Sequence, residues 1–133
     1  MVLEELEVYQ LSLVVAEKIW SITSKWDFFN KDTLGKQIVR SSDSISANIA
    51  EGFGRYFYKE NKLFCYYSRG SLLETKCWLN KAKERRLISE EDYFNLIADL
   101  SLIHKKLNSY IKSIGNSGSG VSEPQESYGS IND

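Results

Sequence analysis

The only proline in this 133-residue chain is Pro124. Every residue before it keeps its backbone N–H and carries no ring to clash with a helical turn. The chain up to that point is therefore free to form long helices, and four stretches show helical periodicity. Over 5–26, Leu11, Val14, Val15, Ile19, Ile22 and Trp26 fall on one helical face. Over 32–54, Leu34, Ile38, Ile45 and Ile49 form an apolar stripe, and Gly52 and Gly54 loosen the end. Over 58–86, Phe64, Tyr67, Ser71, Glu74 and Trp78 share a side. Gly70 sits mid-helix, where glycine commonly marks the close approach of another backbone. Over 90–114, Tyr93, Leu96, Leu100, Ile103, Leu107, Tyr110 and Ile114 make an unbroken heptad stripe, and Ser89 with Asp92 resembles a capping box.

Four amphipathic helices joined by short connections bury their stripes best as an all-α, antiparallel up-down-up-down four-helix bundle. The bundle is expected over 1–114. Residues 115–133 are rich in Gly and Ser and then polar, too poor in apolar surface to offset ordering entropy, so a disordered tail is expected.

Composition narrows the function. Hydrophobic residues make up 42% and charged residues 26%, an ordinary globular balance that needs neither disulfides nor metal at this length. No apolar run approaches the roughly 18 residues of a membrane span, and the acidic start is unlike an export signal. Cys65 and Cys77 read as free, at least partly buried thiols of a cytoplasmic protein. No cofactor is expected. The lone histidine, His104, follows Ser101 by three residues, so the Glu-x-x-His motif of di-iron bundles is absent. P-loop and dinucleotide fingerprints are absent as well. Enzyme is the least favoured class.

Two features are unusual. The first is a polar seam at heptad spacing: Gln37, Arg40, Ser44, Asn48 and Glu51 on the second helix, with Ser71 and Glu74 on the third. If the two helices form a hairpin about Tyr56, residues whose numbers sum to about 112 face one another. Arg40 is then expected to pair with Glu74, Ser44 to face Ser68, and Glu51 to approach Asn61. The seam reads either as a buried, satisfied polar network that fixes register or assembly or as a ligand or acid–base site. The second feature is charge. Residues 31–86 hold twelve basic and six acidic side chains, a net of +6 within a chain of net −1. Aromatics interleave with the cations from Arg55, Tyr56 and Lys59 through Lys62, and Lys81, Lys83, Arg85 and Arg86 follow. Such a segment can hold phosphates and stack bases of RNA or DNA. The alternatives are solvated helix faces and aromatics that close a corner or an oligomer interface. On the seam reading, Arg40 lies inside and is not a phosphate contact. The load of three Trp, eight Tyr and six Phe exceeds what a slender bundle buries, which points to a homo-oligomer.

The run Gln37-x-x-Arg40-x-x-x-Ser44-Ile45-x-x-Asn48-Ile49-Ala50-Glu51-Gly52, then Gly54-Arg55, then Arg69-Gly70-Ser71-Leu72-x-Glu74, resembles the 23S rRNA intervening-sequence protein family. The resemblance covers roughly 5–114. One departure is Phe57, at a corner where relatives often carry His or a small hydroxyl residue. The resemblance implies a cytoplasmic bacterial four-helix bundle, commonly a pentamer. The fold is more distantly similar to the accessory protein of diversity-generating retroelements, a pentameric bundle that binds nucleic acid. The implied functions are a nucleic-acid-associated assembly protein or, alternatively, a scaffold whose seam and corner serve self-assembly alone.

Overall fold

Local chemistry sets the helix boundaries. In the computed structural model, which describes residues 1–116, a 3-10 turn at Leu3–Glu5 leads into α1, Glu7–Thr23. The Asn30 N–H donates to Asp27 Oδ1 (2.9 Å), so Asp27 caps and starts the next helix, ahead of the expected residue 32. That helix passes from Phe28–Asn30 through a π-helical turn, Lys31–Gly35, into α2, Lys36–Phe53, without a break. After the corner comes α3, Tyr58–Glu84. It ends in a Schellman motif: the Leu87 N–H donates to Ala82 O (2.8 Å) and the Arg86 N–H to Lys83 O (3.0 Å), with Arg86 left-handed at φ 60°. The last helix, α4, Glu90–Ser113, is capped by Ser89 Oγ, which accepts from the Asp92 N–H at 3.1 Å. Among the described residues there is no strand, and no helix is long and apolar enough to cross a membrane. The expected disordered tail lies outside the described residues, apart from Gly115 and Asn116.

The helices form the up-down-up-down four-helix bundle. α1 packs on α2 and α4, α3 packs on α2 and α4, and the α2–α3 interface is the most extensive. The core holds Val15, Ile19, Ile38, Ile45, Ile49, Leu72, Leu79, Leu100, Ile103 and Leu107. The α4 stripe is buried or half-buried along its whole length, as expected. On α1, Val14 faces solvent, and the inner face is instead Val8, Ser12, Val15, Ala16, Ile19 and Thr23. Polar contacts hold α4 to its neighbours: Lys18–Asp99 (2.8 Å), Lys106–Glu7 (3.0 Å) and the Arg69 guanidinium donating to Asn108 Oδ1 (2.8 Å).

The inner face of α3 differs most from expectation. It is Asn61, Cys65, Ser68, Leu72, Thr75, Leu79 and Ala82, a perfect heptad series in which small and polar types predominate. Phe64, Tyr67, Ser71, Glu74 and Trp78 lie on the flank, half-buried or exposed. The polar groups of this face are hydrogen-bonded. Ser68 Oγ donates across the interface to Ile45 O (2.7 Å), Thr75 Oγ1 lies 2.8 Å from Ser41 Oγ, and Asn61 Nδ2 donates to Tyr110 Oη (3.3 Å). Small side chains on both helices bring α2 and α3 together, and Gly52 marks the closest approach. A Cβ there would lie 2.8 Å from Asn61 Oδ1 and 2.9 Å from Asn61 O. Gly70, where close approach was expected, has nothing within 4 Å of a built Cβ.

Candidate functional site

The hairpin register follows the expected arithmetic, but the seam faces outward. Ser68 meets Ile45, Thr75 meets Ser41, and Asn61 meets Gly52. These partners lie one helical position, about 100°, from those expected. Gln37, Arg40, Glu51 and Glu74 are exposed, and Ser44, Asn48 and Ser71 are half-buried, so in the single chain the seven form no buried network. They border the outer edge of the α2–α3 interface, and several bond within their own helix. Ser44 Oγ donates to Arg40 O (2.7 Å), Asn48 Nδ2 to Ser44 O (2.9 Å), and the Trp78 indole N–H to Glu74 Oε2 (3.0 Å). Arg40 and Glu74 do not pair. The reason is that Ser, Thr and Gly let α2 and α3 approach more closely than an Arg–Glu pair would permit, while charged groups keep their hydration outside.

The basic segment is divided by the length of α3. Arg55, Tyr56, Lys59 and Lys62 lie at its start, and Lys81, Lys83, Arg85 and Arg86 at its end, roughly 30 Å away at 1.5 Å per residue. At the start, Arg55 is a corner brace. It pairs with Glu51 (2.8 Å) and Glu60 (3.9 Å), and its guanidinium lies 4.7 Å from the Phe64 ring centroid. Tyr56 is exposed and meets the Phe57 ring edge-on. At the other end, Lys83 sits over Tyr93 (4.8 Å), and Arg86 makes the helix stop described above.

Lys81 and Arg85 remain open, and the fold brings them beside the residue the seam argument had excluded. Lys36, Gln37, Arg40, Trp78, Lys81 and Arg85 line one groove of about 400 Å³, with Asp32 as its one carboxylate. Asp32 pairs with Lys36 (2.8 Å). The side chains of Arg40, Lys81 and Arg85 have no ion-pair partner among the described residues. The hydrogen bond to Glu74 fixes the Trp78 ring at the groove wall. Sequence reasoning missed Arg40 here because its heptad position looked internal. Its spacing from Lys36 was the available signal, since an i, i+4 pair of cations is more often a solvated face than a core one.

Other chemistry is not assembled. Cys65 is buried, and desolvation pushes its thiol up to about 12, an inert state. Cys77 is exposed, contrary to expectation. His104 is half-buried on α4, and its pKa is lowered by desolvation and by the charges of Lys76 and Arg69. Asp43 is raised above the ordinary aspartate value by desolvation and by Glu17, and no histidine accompanies it. Among the described residues no three His, Cys, Asp or Glu side chains converge to hold a metal.

Known proteins set this arrangement in context. The family model described as 23S rRNA-intervening sequence protein matches residues 4–109. A solved structure is similar to the chain at 28% identity and a TM-score of 0.71, covering 79% of this chain and 98% of its own. It is a protein of unknown function from the S23 ribosomal protein family of Bacteroides thetaiotaomicron. No curated protein matches. The match over most of the bundle, including the α2–α3 hairpin and its outer seam, means that this chain belongs to the 23S rRNA-intervening sequence protein family.

Proposed function

We propose that this chain is a non-enzymatic, cytoplasmic bacterial protein that assembles with copies of itself and presents a basic groove to nucleic acid. The observation that carries the assembly is the outward face of α3. Leu63, Tyr66, Gly70, Leu73 and Cys77 fall there at steps of 3, 4, 3 and 4, and all five are exposed. That stripe is more apolar than the helix's own inner face. A heptad series of this kind seats another helix, and a central glycine lets it come close. A homo-oligomer is the economical occupant, since every copy carries the stripe, and a pentamer is the assembly the family resemblance suggests. Sedimentation at tens of micromolar should give a multiple of 15.3 kDa for wild type, and Leu73→Glu should shift it towards the single chain. A wild-type monomer would end the assembly reading.

The nucleic-acid reading rests on the Lys36, Arg40, Lys81 and Arg85 groove. Four cations against one carboxylate around a tryptophan suit a phosphate backbone. Ribosomal RNA stands in the family's name, which makes structured RNA the first ligand to test. Affinity should fall steeply with salt, and Arg40→Ala or Lys81→Ala should each lower the salt slope by about one unit. Lys59→Ala and Lys62→Ala, at the far end of α3, should not. Absence of salt-dependent binding at low ionic strength would leave a scaffold alone.

A further inference from the structure

A second groove, of about 430 Å³, lies against the first and shares its ridge. Trp20, Thr23, Ser24, Lys31, Gly35 and Val39 line it, and Lys36 and Arg40 belong to both grooves. The two differ in chemistry. The outer one, towards α3, is basic. The inner one, towards α1, is walled by the Trp20 indole and Val39. The π-helical turn Lys31–Gly35 contributes Lys31 and Gly35, and the glycine puts bare backbone at the wall. π turns inside α-helices are frequent at binding sites. Trp20 is 58% exposed, so its indole is open to a ligand in the groove. Phe28 and Phe29, at the same α1–α2 corner, are 78% and 72% exposed. Lys31 Nζ donates weakly to Ser24 O (3.4 Å), so a cation borders the apolar wall there too.

An aromatic wall beside a cationic ridge matches a nucleotide whose base is out of the duplex. The π-face stacks on the indole while the adjoining phosphates follow the cations. A duplex buries its base faces and offers only its backbone. We infer that the groove between Trp20 and the Lys36–Arg40 ridge holds an unpaired nucleobase, so that the protein selects single-stranded or looped nucleic acid over duplex. This inference rests on the nucleic-acid reading above and adds the class of ligand.

The test uses the full chain with one short RNA, single-stranded or annealed to its complement, and with the same pair made as DNA. Binding is followed by fluorescence anisotropy across a salt series. Single strands should bind more tightly than duplexes. Trp20→Ala should lose about five- to a hundred-fold in single-strand affinity, with the salt slope and duplex binding unchanged. Trp20→Phe should recover most of the loss. Because Trp20 is exposed, its removal leaves the core intact, and an unchanged thermal melt checks this. A ribose preference identifies RNA as the source of the base, and equal binding identifies any unpaired strand; both support the site. Equal affinity for single strands and duplexes, or an unchanged Trp20→Ala, overturns the base site and leaves the basic groove standing. If neither form binds at low salt, the groove reading falls and the base site falls with it.

Discussion

The two faces of α3 invert the usual rule. The inner face is Asn61, Cys65, Ser68, Leu72, Thr75, Leu79 and Ala82, and it is buried. The outer face is Leu63, Tyr66, Gly70, Leu73 and Cys77, and it is exposed. Both run at heptad spacing, and the outer one holds the more apolar side chains. Average hydrophobicity therefore does not decide which side of this helix enters the core. The partner helix decides. Ser41, Ser42, Ile45 and Gly52 on α2 offer a surface that small residues can approach closely enough to exchange hydrogen bonds. The inner face is built for close approach, and the outer face is built for area.

Neighbouring leucines make the sharpest test of that difference. Leu72 is fully buried, and Leu73 is 50% exposed. Leu72→Ala should cost about 2–5 kcal/mol by denaturant unfolding. Leu73→Ala should stay within about 0.5 kcal/mol in the dispersed chain and act on assembly instead. Equal losses would erase the distinction between the faces.

The two glycines separate the faces by sign. Gly52→Ala forces a methyl group against Asn61 and Phe64, an overpacking worth about 1–3 kcal/mol of destabilisation. Gly70→Ala meets open space in the single chain and should gain about 1 kcal/mol from helix propensity. Both are read from the same unfolding curves. A loss at Gly70 at high protein concentration that turns to a gain on dilution would locate the contact of a neighbouring copy there.

The smallest effect tests the polarity of the inner face. Thr75→Val keeps the volume and removes the hydroxyl that lies 2.8 Å from Ser41 Oγ and from Ser71 O. About 1 kcal/mol should be lost. A stabilised Thr75→Val protein would mean that the inner hydroxyls only tolerate burial, and that close packing alone holds α2 to α3.

Much of the fold was legible because helical periodicity is local. The α4 stripe, the Ser89 cap and the inward face of α2 from Ile38 to Ile49 follow from residues within a few turns of one another. The antiparallel register of α2 against α3 was legible too, since a short corner fixes it. The rotation of α3 was not. Its stripes differ by residue type in the wrong direction, and the α2 surface selects one, with Gly52 brought against Asn61 and Ser41 against Thr75 by the fold. The candidate site was hidden for the same reason. Arg40 and Lys81 are forty-one positions apart in the chain, and they share a groove because α2 and α3 run antiparallel. Caps, breakers and periodicity act within a few residues, so the number of helices and the bounds of the last two could be read along the chain, whereas α1 stops short at Thr23 and the second helix begins early, at Phe28. Which face of α3 is inside, and which cations meet, is settled where the helices pack. Both depend on how closely two backbones can pack, a property of the pair of helices that neither carries alone.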